Sequence, residues 1–147
     1  MFDPTRLVTR DLIDLGRIGE AELAAARTHA AREGLGVVEA LLALGKVDHR
    51  EVAIARARAA GVPFVDLDHH AINAGNAALI SKQTIREMIA FPLFVVGGVV
   101  TVGMADPTER AAVDHLRRQI GQEIYPVACE EPALRSLIDR LCGERAA

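Results

Sequence analysis

Apolar positions in the first sixty-one residues recur with a period of twenty-nine. Leu12-Ile13, Gly16, Ile18 and Leu23 reappear as Leu41-Leu42, Gly45, Val47 and Val52. In each copy an apolar pair runs into a glycine, then a basic residue (Arg17, Lys46) and a β-branched one. A repeat of this length holds one helix–turn–helix unit, which cannot bury its apolar face alone. The pattern predicts two helical hairpins packed on each other, an arrangement that reads first as an interaction module.

The polar positions set the predicted boundaries. Asp3-Pro4 supplies an N-cap acceptor, followed by a proline whose missing N–H costs nothing at the first helical position. That helix is expected to reach Leu15 and stop at Gly16, the residue type suited to a left-handed C′ position. A second helix is expected over residues 20–32, ending near Gly34, and a third over 36–44, stopped by Gly45. Asp48 with Glu51 predicts a capping-box start for a fourth, ending at Gly61.

Beyond Gly61 the pattern changes. Val62-Pro63-Phe64-Val65-Asp66-Leu67 reads as a short strand, with Pro63 at an edge or first position. A loop and a helix over residues 81–89 follow. The runs 93–96 and 99–102, joined by Gly97-Gly98, have the spacing of a tight hairpin. Asp106-Pro107-Thr108-Glu109 repeats the start logic of the first helix and predicts a helix to Ile120. A last strand over 124–129 and an amphipathic helix over 132–142 close the chain. The expected fold is α+β. A four-helix repeat subdomain (1–61) packs on a β-α-β-β-α-β-α subdomain (62–147).

Composition narrows the partners. There is no Trp and one Tyr, so the stacking platforms of single-strand nucleic-acid binders are missing. Residues 1–61 carry nine basic and nine acidic side chains, and 62–147 carry eight and eleven. Neither half offers the basic field that neutralises a phosphate backbone, so no nucleic-acid polymer is expected as a partner. Cys129 and Cys142 form no C-x-x-C pair and read as reduced, buried or half-buried thiols of a cytosolic chain. No apolar run approaches the ~20 residues that span a bilayer, so direct membrane insertion is not expected. The greasiest stretch, 91–104, is broken by Pro92 and Gly97-Gly98.

Candidate chemistry is sparse. A nucleotide-hydrolysing phosphate loop needs G-x-x-x-x-G-K-[ST], and Gly45-Lys46 is followed by Val47 where a Mg²⁺-binding hydroxyl belongs. No Ser or Cys stands in the context of an activated nucleophile. Catalytic residues and metal ligands are therefore expected to be absent. Asp66, Asp68, His69 and His70 alone combine metal-ligating types, but period-two alternation splays neighbours on an extended exit to opposite faces. A solvated loop is the favoured reading there. His29, His49 and His115 read as isolated surface residues. Arg27 and Arg56 occupy equivalent positions in the two repeats, and Arg6, Arg10, Arg17 and Lys46 are placed around the glycine turns. Such guanidinium groups suit either an anion site or an ordinary charged helix surface.

Several segments carry a family likeness: Val62-Pro63-Phe64-Val65-Asp66-Leu67, Ala90-Phe91-Pro92-Leu93-Phe94, Val102-Gly103-Met104-Ala105-Asp106-Pro107-Thr108 and Ile124-Tyr125-Pro126-Val127. Together they resemble the N-terminal domain of type II secretion and type IV pilus assembly ATPases. The resemblance implies a cytoplasmic module, peripheral at the inner membrane, that docks a motor to a protein partner of the secretion or pilus platform. The MshEN type of such domains binds cyclic di-GMP through two 24-residue motifs five residues apart, which matches the repeat period. That pattern opens Arg-Leu-Gly and closes on Gln. Aligned on Gly16, the opening falls on Leu7-Val8-Thr9 and the close on Ala30; aligned on Gly45, they fall on Gly36-Val37-Val38 and Ala59. The hydrophobic frame is kept and the polar readers are not. Two readings follow: a docking module that needs no cofactor, and a cyclic di-GMP sensor with degenerate motifs. For both, the candidate surface is Arg6, Arg10, Leu12, Ile13, Gly16, Leu41, Leu42 and Gly45.

Overall fold

The computed structural model describes residues 3–143. Its first four helices are α1 (Pro4–Asp14), α2 (Glu20–Glu33), α3 (Val37–Ala43) and α4 (His49–Ala60). The repeat is visible hydrogen bond by hydrogen bond. Gly16 and Gly45 take φ of +73° and +69°. Past them the Arg17 N–H reaches back to the Leu12 carbonyl at 2.9 Å, and the Lys46 N–H to that of Leu41 at 3.0 Å. This is the Schellman closure that satisfies orphan carbonyls at a helix end. Both second helices begin with a glutamate reaching back to the N-cap. Glu22 accepts the Gly19 N–H at 3.1 Å, and Glu51 that of Asp48 at 2.9 Å, where the Asp48 carboxylate also accepts the Glu51 N–H at 2.8 Å and completes a capping box.

The hairpins interlock. α1 packs mainly on α4, and α2 on α3. Because α3 is the second copy of α1 and α4 of α2, these are one contact made twice, as across the two-fold axis of a dimer. Leu12, Leu23 and Ala26 from one copy and Leu41, Val52 and Ala55 from the other meet in a shared core.

The remaining residues form an α+β unit with a core of its own, including Phe91, Leu93, Val102, Leu116 and Leu134. Helix α5 (Lys82–Met88) precedes β1 (Ala90–Val96), which pairs antiparallel with β2 (Val99–Met104) across Gly97-Gly98. Helix α6 (Arg110–Ile120) then leads to β3 (Glu123–Ala128), parallel to β2, and α7 (Glu131–Cys142) follows. The sheet order is β1-β2-β3. Helix α4 also contacts β3 and α7. Its Ala53 and Ala57 are buried although neither belongs to the helical core, and their small size suits that close approach.

Three expectations are corrected. The strand expected at 62–67 is reduced to one parallel bridge, Phe64 with Ala128. Pro63 has no N–H and contributes only its carbonyl to Ala128, while Asp66 turns the chain by accepting the Asp68 N–H at 3.0 Å. The helix expected from Asp106 starts at Arg110, because the Asp106 carboxylate accepts the Thr108 N–H at 3.1 Å and closes a turn of its own. Pro92 does not break the apolar run. It lies inside β1, beside a register irregularity between Pro92 and Phe94, as an edge strand permits.

Candidate functional site

The interlocked repeat places two pseudo-equivalent arginines in opposite circumstances. Arg56, on α4, has a side chain 12% exposed. Its Nη1 donates to the Ala105 carbonyl at 3.4 Å, and its guanidinium lies 3.9 Å from both Glu39 and Asp106. Asp106 also accepts from the Thr108 hydroxyl. Desolvation, together with the Asp106 carboxylate, raises the pKa of neighbouring Glu109. The small cavity beside this cluster, about 170 Å³, is lined by the N-terminal parts of α1 and α3 as well as by Arg56 and Asp106.

Arg27, twenty-nine residues earlier on α2, borders a groove of about 350 Å³ against α1. Arg6, Thr9, Arg10, Ile13 and Glu20 share its lining, together with Leu7 and Leu23. The position that is Glu39 beside Arg56 is Arg10 beside Arg27. One copy neutralises its arginine; the other sets three guanidinium groups around one open groove.

The candidate surface residues divide accordingly. Arg6 and Arg10 are exposed on α1, and Ile13 and Leu42 are half-buried against the helical core. Gly16 and Gly45 are exposed turns. Leu12 and Leu41 are wholly buried, so they build the frame beneath a surface and do not line one. Arg6 does not sit at the Gly16 turn, from which the rise along α1 separates it by about 15 Å. Arg17 is engaged by Glu51 of the other repeat at 3.2 Å. Glu39 escaped the sequence reading, and Asp106 entered it only as a helix cap. The charge inversion between positions 10 and 39 was the available signal.

The Asp66–His70 segment is held by local contacts. Asp66 takes the Arg50 guanidinium at 3.1 Å and lies 3.6 Å from His69 Nε2, while His70 meets the Phe94 ring edge-on at 5.5 Å. Among the described residues no group of three or more His, Cys, Asp or Glu side chains is placed to hold a metal ion. His49 is exposed, whereas His29 and His115 are half-buried. Neither cysteine is in a disulfide; Cys129 is buried and Cys142 half-buried. No helix among the described residues is long and apolar enough to cross a membrane.

The MshEN domain pattern matches residues 60–147, more than half of the chain. The chain belongs to the MshEN domain family. Its sequence is similar to type IV pilus assembly ATPases named PilB. It is 24% identical to that of Myxococcus xanthus, over 88% of this chain and 25% of the relative, and 29% identical to that of Thermus thermophilus, over 77% and 13%. This MshEN chain thus spans a quarter or less of those two relatives' length. Its fold matches a solved structure of MshE with cdg (cyclic di-GMP) at a TM-score of 0.78 and 21% identity, covering 96% of this chain and 99% of that one. It matches the N-terminal domain of XpsE at 0.75 and 21%, covering 95% and 96%. The chain therefore resembles an N-terminal domain of secretion and pilus ATPases and not their catalytic domain.

Proposed function

We propose that this MshEN chain is a non-enzymatic docking and regulatory module that holds a protein partner of a secretion or pilus platform at the inner membrane, from the cytoplasmic side. One observation carries the reading. Its fold covers nearly all of an isolated N-terminal domain, while its match takes up only a quarter of the Myxococcus xanthus ATPase it resembles. The interlocked helical repeat and the absence of a phosphate loop from the sequence support it. Affinity capture from cytoplasm plus solubilised membranes of its own cells tests it. Recovery of a pilus or secretion inner-membrane component is expected, and its absence would overturn the reading.

A second reading, cyclic di-GMP sensing through Arg6, Arg10 and the two glycine turns, is favoured by the fold match to MshE with cdg. The chain lacks both Arg-Leu-Gly openings, and buried base edges left without matched donors are costly. Isothermal titration with the dinucleotide separates the two. A Kd below about 1 μM, worth about −8 kcal/mol, would promote sensing over docking.

A further inference from the structure

We infer that the Arg6–Arg10–Arg27 groove is the docking site for an acidic segment of a protein partner. The inference rests on the docking reading and adds a surface and a chemistry to it. Its warrant is the internal two-fold of the repeat. At the equivalent place in the second copy, Arg56 is covered by a polypeptide segment, Ala105-Asp106, which offers one carbonyl and one carboxylate, and Glu39 adds a second carboxylate. In the first copy no segment among the described residues covers Arg27, and the residue standing for Glu39 is Arg10. Arg6 and Arg10 are one helical turn apart on α1, a spacing at which like charges repel. Among the described residues the one acid in the lining is Glu20. Among the described residues no hydrogen bond or ion pair engages the side chains of Arg6, Arg10 or Arg27.

Guanidinium forks match carboxylates in geometry, so the missing complement is anionic. Apolar side chains share the lining with the arginines and Thr9: Leu7 is 42% exposed, and Ile13 is half-buried. A lining that alternates fork and hydrocarbon fits a peptide with acidic residues around an aliphatic one. The occupant of the equivalent place is itself a stretch of chain. A peptide segment is therefore favoured over a small anion.

The test selects binders to the whole chain from a random peptide display library, then measures the winners by fluorescence anisotropy. Selected sequences should be rich in Asp and Glu around Leu or Ile. Their affinity should fall at least about tenfold in the Arg10→Glu/Arg27→Glu variant, weaken with salt, and stay unchanged in Arg140→Glu on α7. If the reversed pair fails to fold, Arg10→Ala/Arg27→Ala should show the same loss to a smaller extent. Neutral or basic winners, no winners, or acidic winners indifferent to both pairs would overturn the site. Displacement of the peptide by inorganic phosphate or cyclic di-GMP, bound at the same arginines, would reassign the groove to a small anion and equally overturn it. A chain that ignores acidic peptides yet still captures its platform component would lose this site and keep the docking reading.

Discussion

Replacing Gly45 by alanine isolates the backbone term in the repeat. An added Cβ there would meet no atom within 4 Å, so crowding contributes nothing. What remains is conformation: φ is +69°, where an L-residue pays roughly 1–2 kcal/mol. Alanine also narrows the unfolded ensemble, which returns about 0.4–1 kcal/mol. The expected net loss is about 1 kcal/mol. For a chain of this size that lowers Tm by about 2–4 °C. Gly16 has φ +73° and equally open surroundings, so Gly16→Ala should cost the same. Asparagine tolerates the left-handed region better, and Gly45→Asn should recover part of the loss. Urea and thermal unfolding followed by circular dichroism measure all three. Alanine without loss, or asparagine no better than alanine, would refute the turn argument. A difference of more than about 1 kcal/mol between Gly16→Ala and Gly45→Ala would refute the equivalence of the turns, since it would match the whole expected effect.

Leu12→Ala and Leu41→Ala each delete a fully buried side chain from the shared helical core and should each cost about 2–5 kcal/mol in urea unfolding; a loss near zero at either would deny that core. Burial pushes the Cys129 thiol up to about 12, so a thiol reagent at neutral pH should label Cys142 in the folded chain and Cys129 only on unfolding, as mass spectrometry of quenched samples would show. The Asp68 backbone N–H and then the Arg50 guanidinium hold Asp66 below the usual carboxylate range. A depressed folded pKa contributes stability above the unfolded value that is lost as pH falls through the folded one, so Asp66→Asn should flatten the acid limb of the stability–pH curve; an unchanged limb would argue against those contacts.

Much of the fold was legible because local chemistry and the periodic pattern agreed. Gly16, Gly34, Gly45 and Gly61 mark the ends of the four repeat helices, and each has a positive φ. The hairpin at Gly97-Gly98 formed where a two-residue connection between β-branched runs demands it. The errors arose where a side chain took a backbone partner that the pattern assigned elsewhere. Asp106 looked like an N-cap, but its carboxylate spends itself on Thr108 and faces Arg56, so the helix begins four residues later. Phe64 reads as strand, yet Pro63 before it and the Asp66 turn after it leave room for one bridge. Both competitors are polar contacts, one of them across a long stretch of chain, and hydrophobic periodicity does not register them.

The candidate surface was legible only in part, for a related reason. A repeat read for its apolar frame returns the residues that are the same in both copies, and these are the ones both copies bury: Leu12 with Leu41, Leu23 with Val52, Ala26 with Ala55. Sameness between copies identifies the core that makes the two-fold. A difference between the copies is what a search for sameness does not return. Here the copies differ in the sign of charge at positions 10 and 39, an arginine against a glutamate, beside arginines that are themselves the same. Beside the glutamate, Arg56 fastens α4 to the turn at Asp106, which joins the helical repeat to the α+β unit. Beside the arginine, the matching face of α2 is uncovered among the described residues and carries Arg27. One copy is thereby used for attachment within the chain, and the docking proposed above assigns the other to attachment beyond it.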